Sequence, residues 1–227
     1  EDLIVEPLLG TRLLPEHADE LLERATDRDT VVIGPGLGEA DDTQDGVAAF
    51  LSEFEGRAVV DADALQVVPE TDTDATLICT PHQGEFVEMG GERAAEWRKR
   101  AGEWREQAAD GPEQAADWRE RADVVASAAA DLGHTMLVKG KYDIVSDGET
   151  TRVNRTGNPG MTVGGTGDVL AGATAAFLAR LDPVEAAAVG AFTTGKAGDL
   201  VVDERGYGLL ASDLLDTLPT AVWEERI

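Results

Sequence analysis

Gly164, Gly165 and Gly167 precede Asp168 and the apolar stretch that begins at Val169. Glycines so spaced let main-chain N–H groups face inward unobstructed. Where a helix starts, unpaired donors and the positive dipole end attract anions, phosphate above all. Asp168 beside such a cradle can take a proton from a hydroxyl as a phosphoryl group moves onto it. An isolated Gly-Asp pair would instead be a helix cap. No Gly-Lys-Ser/Thr follows, so this is not a P-loop. Gly34-Pro35-Gly36-Leu37-Gly38 is not a dinucleotide fingerprint either, because Glu39 stands where its third glycine belongs.

Further reactive types follow short apolar runs. Lys139 and Lys141 flank Gly140 and fit either a phosphate contact or solvated charges. His82, next to Pro81, fits a site or a turn cap; Asp61 and Asp63 fit site carboxylates and turn formers equally well. Cys79, inside an apolar run, reads as an inert core thiol. His17 and His134 read as structural or exposed.

The elements that must position these groups are legible as alternation. Apolar runs at Thr30 to Ile33, Ala58 to Val60, Ala75 to Cys79 and Met136 to Val138 predict strands. Val47, Phe50, Leu51 and Phe54 recur at helical spacing between the first two. Such strands, separated by helices, predict an α/β fold: a mostly parallel sheet flanked by helices on both faces. Ligands of such sheets bind beyond the strands' carboxyl ends, where all these groups fall. Tyr142 to Val145 and Thr150 to Val153, around Asp147-Gly148, predict an antiparallel hairpin with a primed turn. Helices are expected at Val169 to Ala179, Pro183 to about Asp203 and Leu210 to Leu218.

One segment breaks the rhythm. Trp97, Trp104, Gly111 and Trp118 share one heptad position, and Ala101, Ala108, Ala115 and Ala122 another. The array over 92–123 reads as a tandem helical expansion, kinked at Gly111-Pro112. Its indoles pack on the domain in the simpler reading and make a subunit contact in the sharper one. Catalysis is not expected of it.

The 227 residues carry a formal net charge of −26, which excludes nucleic acid and anionic membrane surfaces as partners. No apolar run suits a bilayer span, no signal segment opens the chain, and one cysteine excludes internal disulfides and thiolate clusters. A soluble, cytoplasmic chain is expected. Lysine is confined to Lys99, Lys139, Lys141 and Lys196, and that carboxylate-rich surface reads as halophile-type.

Several motifs together carry a resemblance. They are Gly34 to Gly38, Asp61-Ala62-Asp63-Ala64-Leu65, Thr80-Pro81-His82-Gln83-Gly84-Glu85-Phe86, Val138-Lys139-Gly140, Asn158-Pro159-Gly160-Met161 and Gly164 to Gly172. In this order the chain resembles the ADP-dependent NAD(P)H-hydrate dehydratases of the ribokinase-like superfamily. The resemblance implies one three-layer domain over 1–227 and a repair reaction. The hydroxyl of hydrated NADH or NADPH is phosphorylated from ADP with Mg²⁺, then phosphate is eliminated, leaving NAD(P)H and AMP. Hydroxide leaves poorly and phosphate well, and the transfer needs only positioning and charge stabilisation.

Carried over by residue, Asp168 is the base and a substrate contact. Asn158, Gly164, Gly165, Thr166 and Gly167 line the nucleotide site with Lys139, Gly140, Lys141, Tyr142 and Asp143. Gly38, His82, Gln83, Gly84 and Glu85 face the hydrated cofactor, and Glu85 holds Mg²⁺ through water. Members usually open with a further glycine-rich strand–helix unit, often behind a fused epimerase domain. This sequence starts after that unit, so an exposed sheet edge and a homo-oligomer are expected. Two other readings stay open: a small-molecule kinase of the same fold, and a non-catalytic nucleotide-binding module.

Overall fold

A computed structural model describes residues 4–89, 95, 97–101 and 118–223. Six strands lie side by side in chain order: β1 (Val31–Ile33), β2 (Arg57–Val60), β3 (Thr76–Cys79), β4 (Thr135–Val138), β5 (Asp143–Ser146) and β6 (Thr151–Asn154). The first four are mutually parallel, and β4, β5 and β6 continue as an antiparallel meander.

Side-chain alternation along the parallel strands splits the core. Ala58, Val60, Leu77, Cys79, Met136 and Val138 face α1 (Ala18–Ala25), α2 (Asp41–Glu53) and α4 (Trp118–Leu132). Val59, Ile78, Leu137 and Val145 face the other way, onto α5 (Thr166–Leu178) and α6 (Pro183–Arg205). Both faces are therefore covered, which is why these strands read as continuous apolar runs. The short α3 (Gln83–Glu88) follows β3, and α7 (Ala211–Trp223) packs on α6. Cys79 is fully buried, and its thiol is pushed up to about 12 by the loss of hydration. His17 is structural: Nδ1 accepts from Leu14 N and Nε2 bonds Leu9 O.

One local expectation holds and two are corrected. The β5–β6 hairpin forms as expected, with 147–150 as its connection and Gly148 alone at positive φ. The Asp147 carboxylate closes it by accepting from the N–H groups of Glu149 and Thr150. Next, α5 begins at Thr166 rather than Val169, because Gly165 turns left-handed at φ 92° as its N-cap. The last helix, α7, continues through Pro219 to Trp223.

Of the tryptophan array, Trp97 is buried and stacks on Phe86 at 4.6 Å, as the simpler reading expects. Trp104 and the kink at Gly111-Pro112 lie outside the described residues. A cavity of about 640 Å³ opens beside edge strand β1, lined by Leu8, Leu13, Leu21, Val31, Ile33 and Phe50 among others. Among the described residues no helix is long and apolar enough to cross a membrane.

Candidate active site

The carboxyl ends of the parallel strands point one way, and each delivers a predicted group. Gly34 follows β1, Asp61 follows β2, Thr80-Pro81-His82 follows β3 and Lys139 follows β4. The antiparallel meander returns Asp143 and Asn154 to the same end, because Asp143 opens β5 opposite Asn154, which closes β6. Gly34 lets β1 approach β2 closely: at φ 127°, an added Cβ would lie 1.7 Å from Asp61 O.

Asp61 and Lys139 form the centre. Lys139 Nζ donates to Asp61 Oδ1 at 2.9 Å and stands 3.7 Å from Glu85 Oε2. The two side chains are 19% and 3% exposed, so their attraction is only weakly screened. An added Cβ on Gly167 would lie 3.5 Å from Lys139 Nζ and 3.9 Å from Asp61 Oδ2. The first turn of α5 thus abuts the lysine.

Thr166, Gly167 and Asp168 are the first three residues of α5, where N–H groups have no intrahelical partner. Thr166 anchors the turn by donating its hydroxyl to Met161 O and Val163 O. Asp168 is exposed and does not cap, since the N-cap is Gly165. Among the described residues no hydrogen bond or ion pair engages its carboxylate. Lysine charge, free amides and a free carboxylate therefore converge on one turn.

The loop leading into α5 is fastened from behind by Asp199. Its carboxylate accepts from Gly157 N and from Asn158 Nδ2, while Asn158 Oδ1 accepts from Gly160 N. Gly195 and Gly198 on α6 make room for it: added Cβ atoms would lie 2.3 Å from Thr156 Oγ1 and from Met161 Sδ respectively. Sequence reasoning missed Asp199. The signal was two glycines and an aspartate inside a helix, where each glycine costs about 1 kcal/mol unless something packs against it.

The segment 82–85 forms a capping box. His82 Nδ1 accepts from Glu85 N, and Glu85 Oε2 accepts from His82 N at 2.6 Å. His82 also bridges Lys139 in parallel register, which ties α3 to the lysine. Gln83 and Gly84 lie on α3, and Gly38 N donates to Asp63 Oδ2 on the neighbouring strand end. On the other flank Asp143 turns inward, accepting from Gly140 N and Asn154 Nδ2. Burial raises its carboxyl above the ordinary range, with those bonds and Arg121 opposing. Lys141 and Tyr142 remain at the surface of that loop, Lys141 Nζ lying 5.6 Å from the ring centre.

Among the described residues no three His, Cys, Asp or Glu side chains cluster as a metal cage. A divalent cation would have to arrive with phosphate oxygens and meet the protein through few ligands, as Mg²⁺ commonly does. Glu85 fits that contact through water: its side chain is 22% exposed, and only Oε2 is committed to the capping bond.

Comparison with known proteins finds relatives of this chain. A family model described as NAD(P)H-hydrate dehydratase matches residues 1–220. The bifunctional NAD(P)H-hydrate repair enzyme Nnr of Pyrobaculum aerophilum is 41% identical over 224 residues, 97% of this chain and 41% of that protein. Its Methanopyrus kandleri counterpart is 40% identical over 96% of this chain and 40% of its own length. The chain thus spans about two-fifths of the relatives it matches. The crystal structure of the ADP/ATP-dependent NAD(P)H-hydrate dehydratase from Bacillus subtilis, co-crystallised with ATP/Mg²⁺, superposes with a TM-score of 0.68. The two are 28% identical, over 90% of this chain and 69% of that one.

Proposed function

The chain belongs to the NAD(P)H-hydrate dehydratase family, and from that premise we propose that it repairs hydrated NADH and NADPH at the expense of ADP. The observation that carries this reading is the meeting of Lys139, Gly167 and Asp168 at one helix start, with the lysine 3.5 Å from where a Gly167 Cβ would sit.

The amides of Thr166, Gly167 and Asp168 and the Lys139 ammonium receive the phosphoryl group being moved and stabilise the charge it gathers. Asp168 takes the proton of the ring hydroxyl. The hydroxyl oxygen bonds the terminal phosphorus of ADP, the bridging P–O bond breaks, and AMP leaves. In the second step the carbon–oxygen bond of the new ester breaks, phosphate departs and a neighbouring ring proton is lost. The ring double bond returns. Mg²⁺ would neutralise phosphate charge when bound with ADP, and Glu85 would be the residue to hold it, through water.

Asn158, Gly164, Gly165 and Thr166 line the nucleotide side together with 139–143. Gly38 and 82–85 border the hydrated cofactor, with His82, 57% exposed, the most accessible side chain there. A fused or paired epimerase, a cytoplasmic setting and a homo-oligomer belong to the same reading.

The test mixes the protein with hydrated NADH, Mg²⁺ and ADP in molar KCl. Dihydronicotinamide absorbance is expected to return. Asp168→Asn should lower turnover about a thousandfold, within the usual range for a lost general base, while ADP affinity changes little. A stable phosphoester without absorbance would assign a small-molecule kinase instead, and nucleotide binding without turnover would assign a non-catalytic module. A fully active Asp168→Asn enzyme would remove that residue from the base role.

A further inference from the structure

We propose that Asp63 and Gln44 are positioning residues of the hydrate site, gripping Gly38 by both its main-chain polar groups, and that left-handed Ala62 aims Asp63 at it; this rests on the substrate reading above. Gly38 N donates to Asp63 Oδ2 at 2.7 Å. Gln44 Nε2 donates to Gly38 O at 3.3 Å and to Asp63 O at 2.9 Å. The turn after β1, the start of α2 and the turn after β2 thus close on one exposed glycine.

That glycine has no other anchor. Leu37 N closes the preceding turn on Gly34 O, but among the described residues Gly38 makes no main-chain hydrogen bond. Its open side is clear, since an added Cβ would meet no atom within 4 Å. With N–H and C=O both engaged inside the protein, Gly38 offers a ligand a bare Cα face, against which a flat ring can lie. The Gln44 amide is oriented by what it faces. Two carbonyls accept from Nε2, while Oε1 is buried and finds no donor among the described residues. A buried acceptor left unmet is a cost that asks for a reason, and holding Gly38 supplies one.

Ala62 carries the second observation. Among the described residues it is the only non-glycine at positive φ, 49°. A Cβ makes that conformation unfavourable, and such strain persists only where the surrounding structure imposes it. Its neighbour Asp61 is fixed twice: the N–H donates to Ile33 O at 3.0 Å, and the carboxylate takes Lys139 at 2.9 Å. In an extended strand, residues two apart point the same way. The turn at Ala62 instead lets Asp61 reach toward β4 and Asp63 toward β1. Asp61 Oδ2 lies 3.9 Å from where a Gly167 Cβ would sit, so three consecutive residues span from the phosphoryl cradle to the substrate border.

The test is steady-state kinetics with hydrated NADH, ADP and Mg²⁺ in molar KCl, with thermal unfolding run alongside to show that each variant is folded. Asp63→Ala is expected to raise the KM for the hydrate about tenfold, the scale of a lost charge-assisted bond. The kcat and the KM for ADP should stay within about twofold of the parent. Asp63→Asn keeps an acceptor for Gly38 N and should fall in between. Gln44→Glu sets acceptors against two carbonyls and should match Asp63→Ala. The double variant should lose less than the two single effects multiplied, because both residues act through Gly38. Ala62→Asn tolerates a left-handed backbone and should match the parent, while Ala62→Val does not and should raise both KM values. A hydrate KM within about twofold of the parent in both Asp63→Ala and Gln44→Glu would overturn the proposal and leave the dehydratase reading standing. Hydrate and ADP KM values rising together in those two variants would also overturn it, because the whole strand end would then have loosened. Equal constants in the two Ala62 variants would overturn the part given to Ala62. A parent protein that converts no hydrate would sink this proposal and the dehydratase reading together.

Discussion

Lys139 shows how one residue joins distant parts of the chain. Its partner Asp61 is 78 positions away, and the pair sits where Gly167 approaches. Spacing alone left Asp61 balanced between site carboxylate and turn former; which it is depends on the lysine that β4 brings beside β2's neighbour β3. Lys139→Met would strand a carboxylate that is 3% exposed. Removing one partner of a buried pair typically costs about 3 kcal/mol or more, because the other charge is left uncompensated. Chemical denaturation of Lys139→Met should show a loss of that order. Pairing it with Asp61→Asn should recover most of the loss, since no lone charge then remains. Two losses that simply add would mean the ion pair does not couple these residues.

Among the elements, the parallel strands were the legible part. Burial on both faces makes each a short apolar run, and the first polar residue after each run marks the strand's carboxyl end. Lys139, His82 and Asp61 could be placed there from sequence alone. What escaped depends on contacts between elements: Asp199 reaching a loop from α6, and Gln44 reaching Gly38 from α2. The hairpin was legible too; what spacing did not show is that the Asp147 side chain closes its turn. That hairpin yields a pH test with two opposite signs. Backbone donors, chiefly Thr150, hold Asp147 below its ordinary value of 3.8. Its stabilising contribution is present above that value and is lost as pH falls through the lowered folded value. Burial raises Asp143 above 3.8, so the folded state binds the extra proton, and stability falls as pH rises from 3.8 through the raised value. Urea titrations between about pH 3 and 7 should therefore show the advantage of the parent over Asp147→Asn shrinking toward acid. Against Asp143→Asn the parent should lose ground as pH rises. Parallel slopes for the two variants would contradict the assigned directions.

For the molecule as a whole, the net charge of −26 sets two effects of salt against each other. Carboxylates crowded on one folded chain repel, and the repulsion is relieved when the chain expands, so screening favours the fold. The Debye length falls from about 10 Å at 0.1 M to about 3 Å at 1 M, so most of that relief should be complete near 1 M. Melting temperature should climb steeply from 0.1 M KCl and level off near 1 M. A rise that continues linearly to 3 M would indicate general salting-out instead, and a flat profile would mean the repulsion is immaterial. Lys139 and the free amides at the start of α5, which would meet the phosphates, should answer in the opposite sense. Screening weakens their hold on a polyanionic nucleotide, so ADP affinity should decline over the same range in which the fold gains stability. A single KCl series read both ways therefore separates the acidic body from the phosphate-binding groups at the strand ends. ADP affinity rising in step with melting temperature would mean that binding merely follows the population of folded protein, with no local field of its own.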